Sequence, residues 1–416
     1  MPNAAWLMAF GLLGRLHLPA VPIALTFLVA DWTGAYVTGG VLGAAMLVGQ
    51  GIAGPLRGRA ADRQSRPKLL LKTVSVHATG LAALSLLAQP GVLDPQWWPA
   101  LAPVATITGL FLPPVGPVMR AIWPEICGRQ AREAAYAIEA TLQELLFIVA
   151  PVLVAFLIAF AGPVVAGLAC AGTAAVGAAA FAVVLSRSGL AHTVHEQHTD
   201  TGRRTTSSLF TTPGFAALLV FGALLVAGLV MTDLVMIGWA RERGEPALAG
   251  VLAAVWAFGS LTGGLVMGGR SGAPRLWRRA LASAAGLVVL VPALPPVAGT
   301  GEPWVVCVIL FLGGAAIAPT LAAANSRLAD TVPVHRRTEA FGWFTTATTA
   351  GATAASPIAG AWLDSAGPAA AAGTAALFVL CAALLVLRHR NEAHNNEAHN
   401  LTTSPGGPAQ EHTVTP

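Results

Sequence analysis

Charge is what this chain of 416 residues has least of, with Asp, Glu, Lys and Arg together only 10% of it. A soluble globular domain carries roughly 25%. The 55% share of hydrophobic residues and mean hydropathy of +0.67 leave too little polar surface to cover a particle in water. They also exclude intrinsic disorder, which goes with few apolar residues and high charge. Lysine is nearly missing, occurring only at Lys68 and Lys72. Cysteine is sparse, and Cys127, Cys170, Cys307 and Cys381 stand singly. No C-x-x-C or Cys/His spacing links them, so neither a zinc site nor a disulfide framework is expected. There is no G-x-x-x-x-G-K-[ST] loop, no H-E-x-x-H and no nucleophile elbow, which argues against ATP hydrolysis and against an enzyme. No cofactor and no metal are expected. The start, Met1-Pro2-Asn3-Ala4-Ala5, lacks the basic segment of a cleaved signal. The first apolar run is therefore expected to remain as a helix.

Long apolar runs fill the chain. A membrane span needs about 20 mostly apolar residues, at 1.5 Å rise across roughly 30 Å of hydrocarbon. Twelve such runs are read near 6–30, 37–56, 69–89, 99–121, 135–160, 164–186, 214–240, 247–269, 280–298, 304–328, 339–363 and 369–387. The fold class expected is therefore an all-α integral membrane protein. With the N-terminus inside, all but three of the 24 basic residues fall on inner loops or inner helix ends; the exceptions are Arg15, Arg241 and Arg243. That asymmetry is the positive-inside rule, and it places both termini in the cytoplasm of a multi-pass cell-membrane protein. The basic clusters thus speak for a lipid bilayer, not for nucleic acid. Trp32, Trp97, Trp98 and Trp304 fall on the outer loops as interfacial anchors.

The polar stretch 187–213 is the longest inner loop and splits the chain into bundles 6–186 and 214–387. Residues 388–416, with an N-E-A-H-N pentad repeated at 391–395 and 396–400, read as a disordered cytoplasmic tail. The two bundles resemble each other at an offset near 205. Arg132-Glu133-Ala134-Ala135-Tyr136 matches Arg337-Thr338-Glu339-Ala340-Phe341, Pro151 matches Pro357, Gly162-Pro163 matches Gly367-Pro368, and Arg120 matches Arg327. Duplicated six-span halves are a transporter architecture, with a substrate site between the halves near the midplane. Pro19, Pro22, Pro113, Pro114, Pro117 and Pro319 fall where helices would bend around such a cavity, although a proline can also merely kink a buried helix.

The loop after the second span reads Gly58-Arg59-Ala60-Ala61-Asp62-Arg63-Gln64-Ser65-Arg66-Pro67-Lys68-Leu69. It resembles the G-x-x-x-D-R-x-G-R-R/K-x-x-L signature of the major facilitator superfamily, with Ser65 in place of Gly and Pro67 inserted. Together with the twelve spans and the duplication, the resemblance covers about residues 6–390. Finer similarities, such as Phe258-Gly259-Ser260-Leu261-Thr262-Gly263-Gly264 and Ala318-Pro319-Thr320-Leu321, are to actinobacterial members labelled as efflux or sugar transporters. The resemblance implies two pseudo-symmetric six-helix bundles. It implies that Asp62, among Arg59, Arg63 and Arg66, latches the first half to span 11, with Glu125 and Arg132 in the same charge network. The matching stretch of the second half, Gly263 to Arg270, has Met267 where an aspartate would fall, so the latch is one-sided. Topology alone accounts for Arg57 and Lys72.

Ionisable residues inside the membrane are costly and mark function or pairing. They are Arg15 and His17 in span 1, Glu139 and Glu144 in span 5, and Asp233 in span 7. Counted from Trp6 and Ala135, Arg15 and Glu144 lie about 13–14 Å deep, so an Arg15–Glu144 pair is expected, either structural or linked to proton or substrate. Arg120, Asn325, Thr345 and Thr349 are candidates to line the cavity. The expected function is proton-coupled export of a small apolar or amphipathic molecule by alternating access, by a monomer. A solute importer, or a receptor of the same fold that no longer transports, is the alternative.

Overall fold

In a computed structural model the chain is described over residues 3–192, 208–268, 275–298 and 302–403. Most of the central loop expected at 187–213, with Arg203 and Arg204, lies outside these residues, as do Arg270 and the tail from 404. The described residues form thirteen α-helices and four short 3-10 turns, with no strand among them. They are α1 (Ala4–Leu13), α2 (His17–Thr33), α3 (Tyr36–Arg63), α4 (Arg66–Leu87), α5 (Leu101–Leu110), α6 (Val115–Ile126) and α7 (Arg129–Arg187). After the loop come α8 (Phe215–Glu242), α9 (Pro246–Gly268), α10 (Leu276–Leu290), α11 (Pro303–Gly314), α12 (Ile317–Thr331) and α13 (Arg337–Thr403).

Among the described residues ten stretches are long and apolar enough to cross a membrane, and two of them, Ala131–Arg187 and Val334–Arg388, are too long for one crossing. Each of these two breaks at a glycine before a proline. Gly162 has φ 83° and Gly367 φ 80°, a region that only glycine enters freely. The chain therefore crosses twelve times, with spans 5 and 6 in α7 and spans 11 and 12 in α13. Helix α13 runs on to Thr403, into the stretch that composition suggested is unstructured. Neither Pro nor Gly occurs between Gly373 and Pro405, so nothing stops it.

Three spans are cut near their middles, and each cut lies about four residues before a proline. Span 1 breaks between α1 and α2, span 4 between α5 and α6, and span 10 between α11 and α12. A proline ring collides with the carbonyl four residues back and donates no N–H. Pro19, Pro114 and Pro319 point back to Arg15, Leu110 and Ala315, where the helices give way. Tighter bonds take over there: Leu18 N–H to the Arg15 carbonyl, Leu112 N–H to Gly109, and Ala316 N–H to Gly313. Gly14, at the first cut, lets span 1 press on the backbone of span 6 at Gly177 and Ala178.

The apolar core also shows how the halves sit. One buried cluster runs through both, from Leu7 and Tyr136 to Phe341 and Val379. A second, from Ala20 to Cys170 and Ala171, belongs to the first half alone, and a third, around Met231 and Ala355, to the second.

Candidate functional site

On the arginine-rich side the halves are closed against each other. Span 2 and span 11 approach through glycines: a Cβ on Gly58 would run into the carbonyl of Thr338, and one on Gly342 into that of Gly54. Thr346 Oγ1 donates to the Gly51 carbonyl at 3.0 Å. Tyr136 of span 5 packs on Phe341 of span 11 with ring centroids 6.3 Å apart. Farther along span 2, Gly43 and Gly40 have open space where a Cβ would stand. The molecule is thus shut on the basic side.

Asp62 sits in this seam with 7% exposure. Its carboxylate accepts the backbone N–H of Thr338 at 3.1 Å and of Glu339 at 2.8 Å. These are the unpaired donors of the first turn of α13, where the helix dipole is positive. Arg59 crosses the same seam and donates to Glu339 Oε1 at 3.2 and 2.8 Å. Glu339 is held from its own side by Arg336 at 2.9 Å. Arg132 reaches from span 5 to Asp330 at 2.9 Å and to Ser326 Oγ at 3.2 Å in span 10. Arg279 of span 9 lies 4.0 Å from Glu133.

Not every residue of the loop joins the seam. Arg66 is fully buried and grips Glu125 with two bonds, at 3.0 and 2.6 Å, inside the first half. Its backbone N–H donates to the Ala191 carbonyl, tying the loop to the end of span 6. Arg63, one step round the helix from Asp62, is exposed. Arg57 does more than set topology. It donates to the Leu110 carbonyl at 3.3 and 3.2 Å and lies over the Phe111 ring, capping the cut in span 4 with a positive charge where the dipole is negative.

Because Gly58 touches span 11 only while the basic side is closed, Gly58→Ala should pry the seam open. Overpacking costs about 1–3 kcal/mol, a five- to more than hundredfold change in populations. Ala137 of span 5 is buried, with its carbonyl against Gly264 of span 8 in the second half, and maleimide labelling of a cysteine there should speed up by about tenfold or more from the arginine-rich side.

Deeper in, the expected Arg15–Glu144 pair is not formed. Arg15 instead donates to Glu139 Oε1 at 2.9 Å and to Gln143 Oε1 at 2.8 Å. The reason is where the helix starts. Helix α7 begins at Arg129 rather than near 135, so Glu139, ten residues in, matches the depth of Arg15. Glu139 also accepts from Arg120 Nε at 3.2 Å and from Trp123 Nε1 at 2.9 Å. Its two oxygens thus serve two guanidiniums and an indole at 2% exposure.

Glu144 is half-buried farther along span 5, and Asp233 is exposed on span 7. The two carboxylates, one from each half, are near enough for their charges to repel. Asn325 is buried, with its amide oxygen unbonded. Thr345 is half-buried and bonds back to the Phe341 carbonyl at 2.9 Å. Thr349 is half-buried beside it. His17 lies 3.2 Å from His77, Nε2 to Nε2, at the level of the cut in span 1.

Glu339, Asp330, Glu133 and Arg279 were missed in the sequence because charges at helix ends look like solvated termini. The repeat of Arg132-Glu133 at Arg337-Thr338-Glu339 was the signal available. His77, a lone histidine in an apolar run, gave none.

The model of the Major Facilitator Superfamily matches residues 5–313 and 235–411. No curated protein matches the sequence. Among solved structures, a bacterial homologue of the iron transporter ferroportin in an outward-facing state is similar with TM-score 0.75 at 15% identity, over 94% of this chain and 100% of that one. The E. coli fucose:proton symporter FucP has TM-score 0.68 at 13% identity, over 94% and 98%. The human organic anion transporter MFSD10 (TETRAN) has TM-score 0.64 at 17% identity, over 92% and 98%. At these identities the likeness is one of fold.

Proposed function

The chain belongs to the major facilitator superfamily and is a multi-pass membrane transporter rather than an enzyme, and we propose that it is a proton-coupled exporter of a small apolar or amphipathic molecule, working as a monomer in the cell membrane with both termini in the cytoplasm. What supports the reading is a carboxylate inside span 5 of the first half, Glu144, and one inside span 7 of the second, Asp233, within range of each other's charge. Two like charges there oppose the approach of the halves, and a proton taken up by one of them removes the opposition. Proton binding is in this way tied to the rocking that alternating access requires. The apolar surroundings of spans 5 and 7 suit an apolar or amphipathic cargo. Arg15, Glu139 and Arg120 are the structural brace behind this site, holding spans 1, 4 and 5 together. Asp62, Arg59, Glu339, Arg132 and Asp330 form the cytoplasmic gate, and Asn325, Thr345 and Thr349 line the path next to it.

Accumulation of a fluorescent cationic amphipath, ethidium, tests the reading in cells. Expression should lower the steady-state dye level several-fold, and a protonophore should abolish the difference. Glu144→Gln and Asp233→Asn should each remove the proton dependence while membrane abundance stays near wild type. A higher dye level on expression would mean import, and the same dye level with and without protonophore would remove the proton from the mechanism.

A further inference from the structure

The first half contains a cavity of about 80 Å³ that lies off the path between the halves. Its walls come from spans 1, 2 and 3, and include His17, Pro22, Met46, Leu47, Gln50 and His77. The two histidines are 2% and 1% exposed and are the only titratable residues of the lining. Their bonds fix their protons. His77 Nδ1 is 2.7 Å from the Thr108 carbonyl, which can only accept, so that nitrogen carries hydrogen. In a neutral ring His77 Nε2 is then a lone pair, and His17 Nε2, 3.2 Å away, must donate to it.

That leaves His17 Nδ1 bare. It is buried with no hydrogen-bond partner, and the backbone group in reach is the carbonyl of Gly14, another acceptor. Gly14 is free to offer it because the cut in span 1 falls there. Two buried acceptors side by side without a donor are an unfavourable arrangement, and one that an incoming donor would relieve. The mouth of the cavity lies in the right place. Gly43 and Leu47 continue the stripe of span 2 that meets span 11 at Gly51, Gly54 and Gly58. Leu47 and Gly43 sit one and two turns beyond the last of those contacts, and Leu47 is 43% exposed. The mouth therefore lies on the face of span 2 that is turned to the second half, beyond the closed seam.

We propose that this chamber is a recognition subsite that takes a hydrogen-bond donor of the transported molecule, an amine or hydroxyl on a short apolar arm. His17 Nδ1 and the Gly14 carbonyl receive the donor, and Leu18, Pro22 and Met46 surround the arm. The assignment rests on the chain being an exporter of amphipathic molecules and adds that its cargo carries an N–H or O–H group. A proton on the imidazole would satisfy the same acceptor, so the test separates the two sources.

The test is nitrogen-15 NMR of histidine-labelled full-length protein in lipid nanodiscs at neutral pH. Isopropylammonium and 2-propanol serve as donor probes, with tetramethylammonium and acetone as probes of similar size that donate nothing. The His17 Nδ1 signal should be that of a bare nitrogen without probe. It should shift saturably toward the hydrogen-bonded range with both donor probes and stay put with the other two. Leu47→Trp, which changes an exposed residue at the mouth, should suppress the shift at least tenfold in probe affinity while leaving the bare signal in place. A protonated signal before any probe is added would overturn the proposal in favour of a proton site, and so would indifference to all four probes. A silent chamber in a protein that still exports ethidium would leave the exporter reading standing. A responsive chamber in a protein that exports nothing would sink the exporter reading instead.

Discussion

Glu139→Ala is expected to strip most of the protein from the membrane, or to leave a form that aggregates at a much lower temperature. The carboxylate holds Arg15, Arg120 and Trp123 at 2.9–3.2 Å, and Arg15 is only 4% exposed. Removing one partner of a buried ion pair costs about 3–5 kcal/mol, because the other charge stays behind without compensation. Arg120 can turn toward water, being 19% exposed, but Arg15 cannot. Combining Glu139→Gln with Arg15→Met should therefore recover half or more of the lost stability, since a neutral pair of similar volume leaves no stranded charge. Fluorescence-detected size exclusion after graded heating measures this directly. Wild-type melting of Glu139→Ala would mean that Arg15 is solvated and the brace is not what joins spans 1, 4 and 5.

Asp62→Asn is expected to cut transport sharply while folding and insertion stay near wild type. Asparagine keeps the shape and one acceptor oxygen, but it loses the charge that faces the first turn of α13 and the second strong acceptor for Thr338 and Glu339 N–H. A charge at a partly buried helix N-terminus is worth up to about 2 kcal/mol. A loss of about 1–2 kcal/mol changes the ratio of states by roughly five- to thirtyfold. The loss falls on the state closed at the basic side, because those bonds exist only there. Arg59→Gln should do less, since Arg59 is 47% exposed and Glu339 keeps Arg336. Uptake of ethidium by expressing cells, set against protein abundance, checks both variants. Equal transport by Asp62→Asn and wild type would reduce the loop to a topology signal.

The fold was legible because bilayer thickness sets span length and the arginines are so unevenly divided, two signals that do not depend on packing. The cuts in spans 1, 4 and 10 were legible as prolines, with their places set by the carbonyl four residues back. Asp62 could be read because its charge has a known complement, a helix start. The brace was half read. Arg15 and Glu139 were both singled out, but the pairing went to Glu144 because the apolar run hides the polar first turns of α7, from Arg129 onward. Pairing across the chain is what a single sequence withholds. Arg59 meets Glu339 and Arg132 meets Asp330 only once the halves close, and each of those residues alone looks like a surface charge. Arg57 was assigned to topology because its partner is a carbonyl, which no residue type announces.

Distances between the basic ends of the two halves test the central claim, that Asp62 on the start of α13 holds that side shut. Spin labels on cysteines placed at exposed Arg63 and at Arg327, read by double electron–electron resonance in nanodiscs, report the opening. The wild type should give mostly the short distance of the closed seam. Asp62→Asn should move population to a longer distance by five- to thirtyfold, and Gly58→Ala should move it the same way. Lost transport with an unchanged distance distribution would contradict the account.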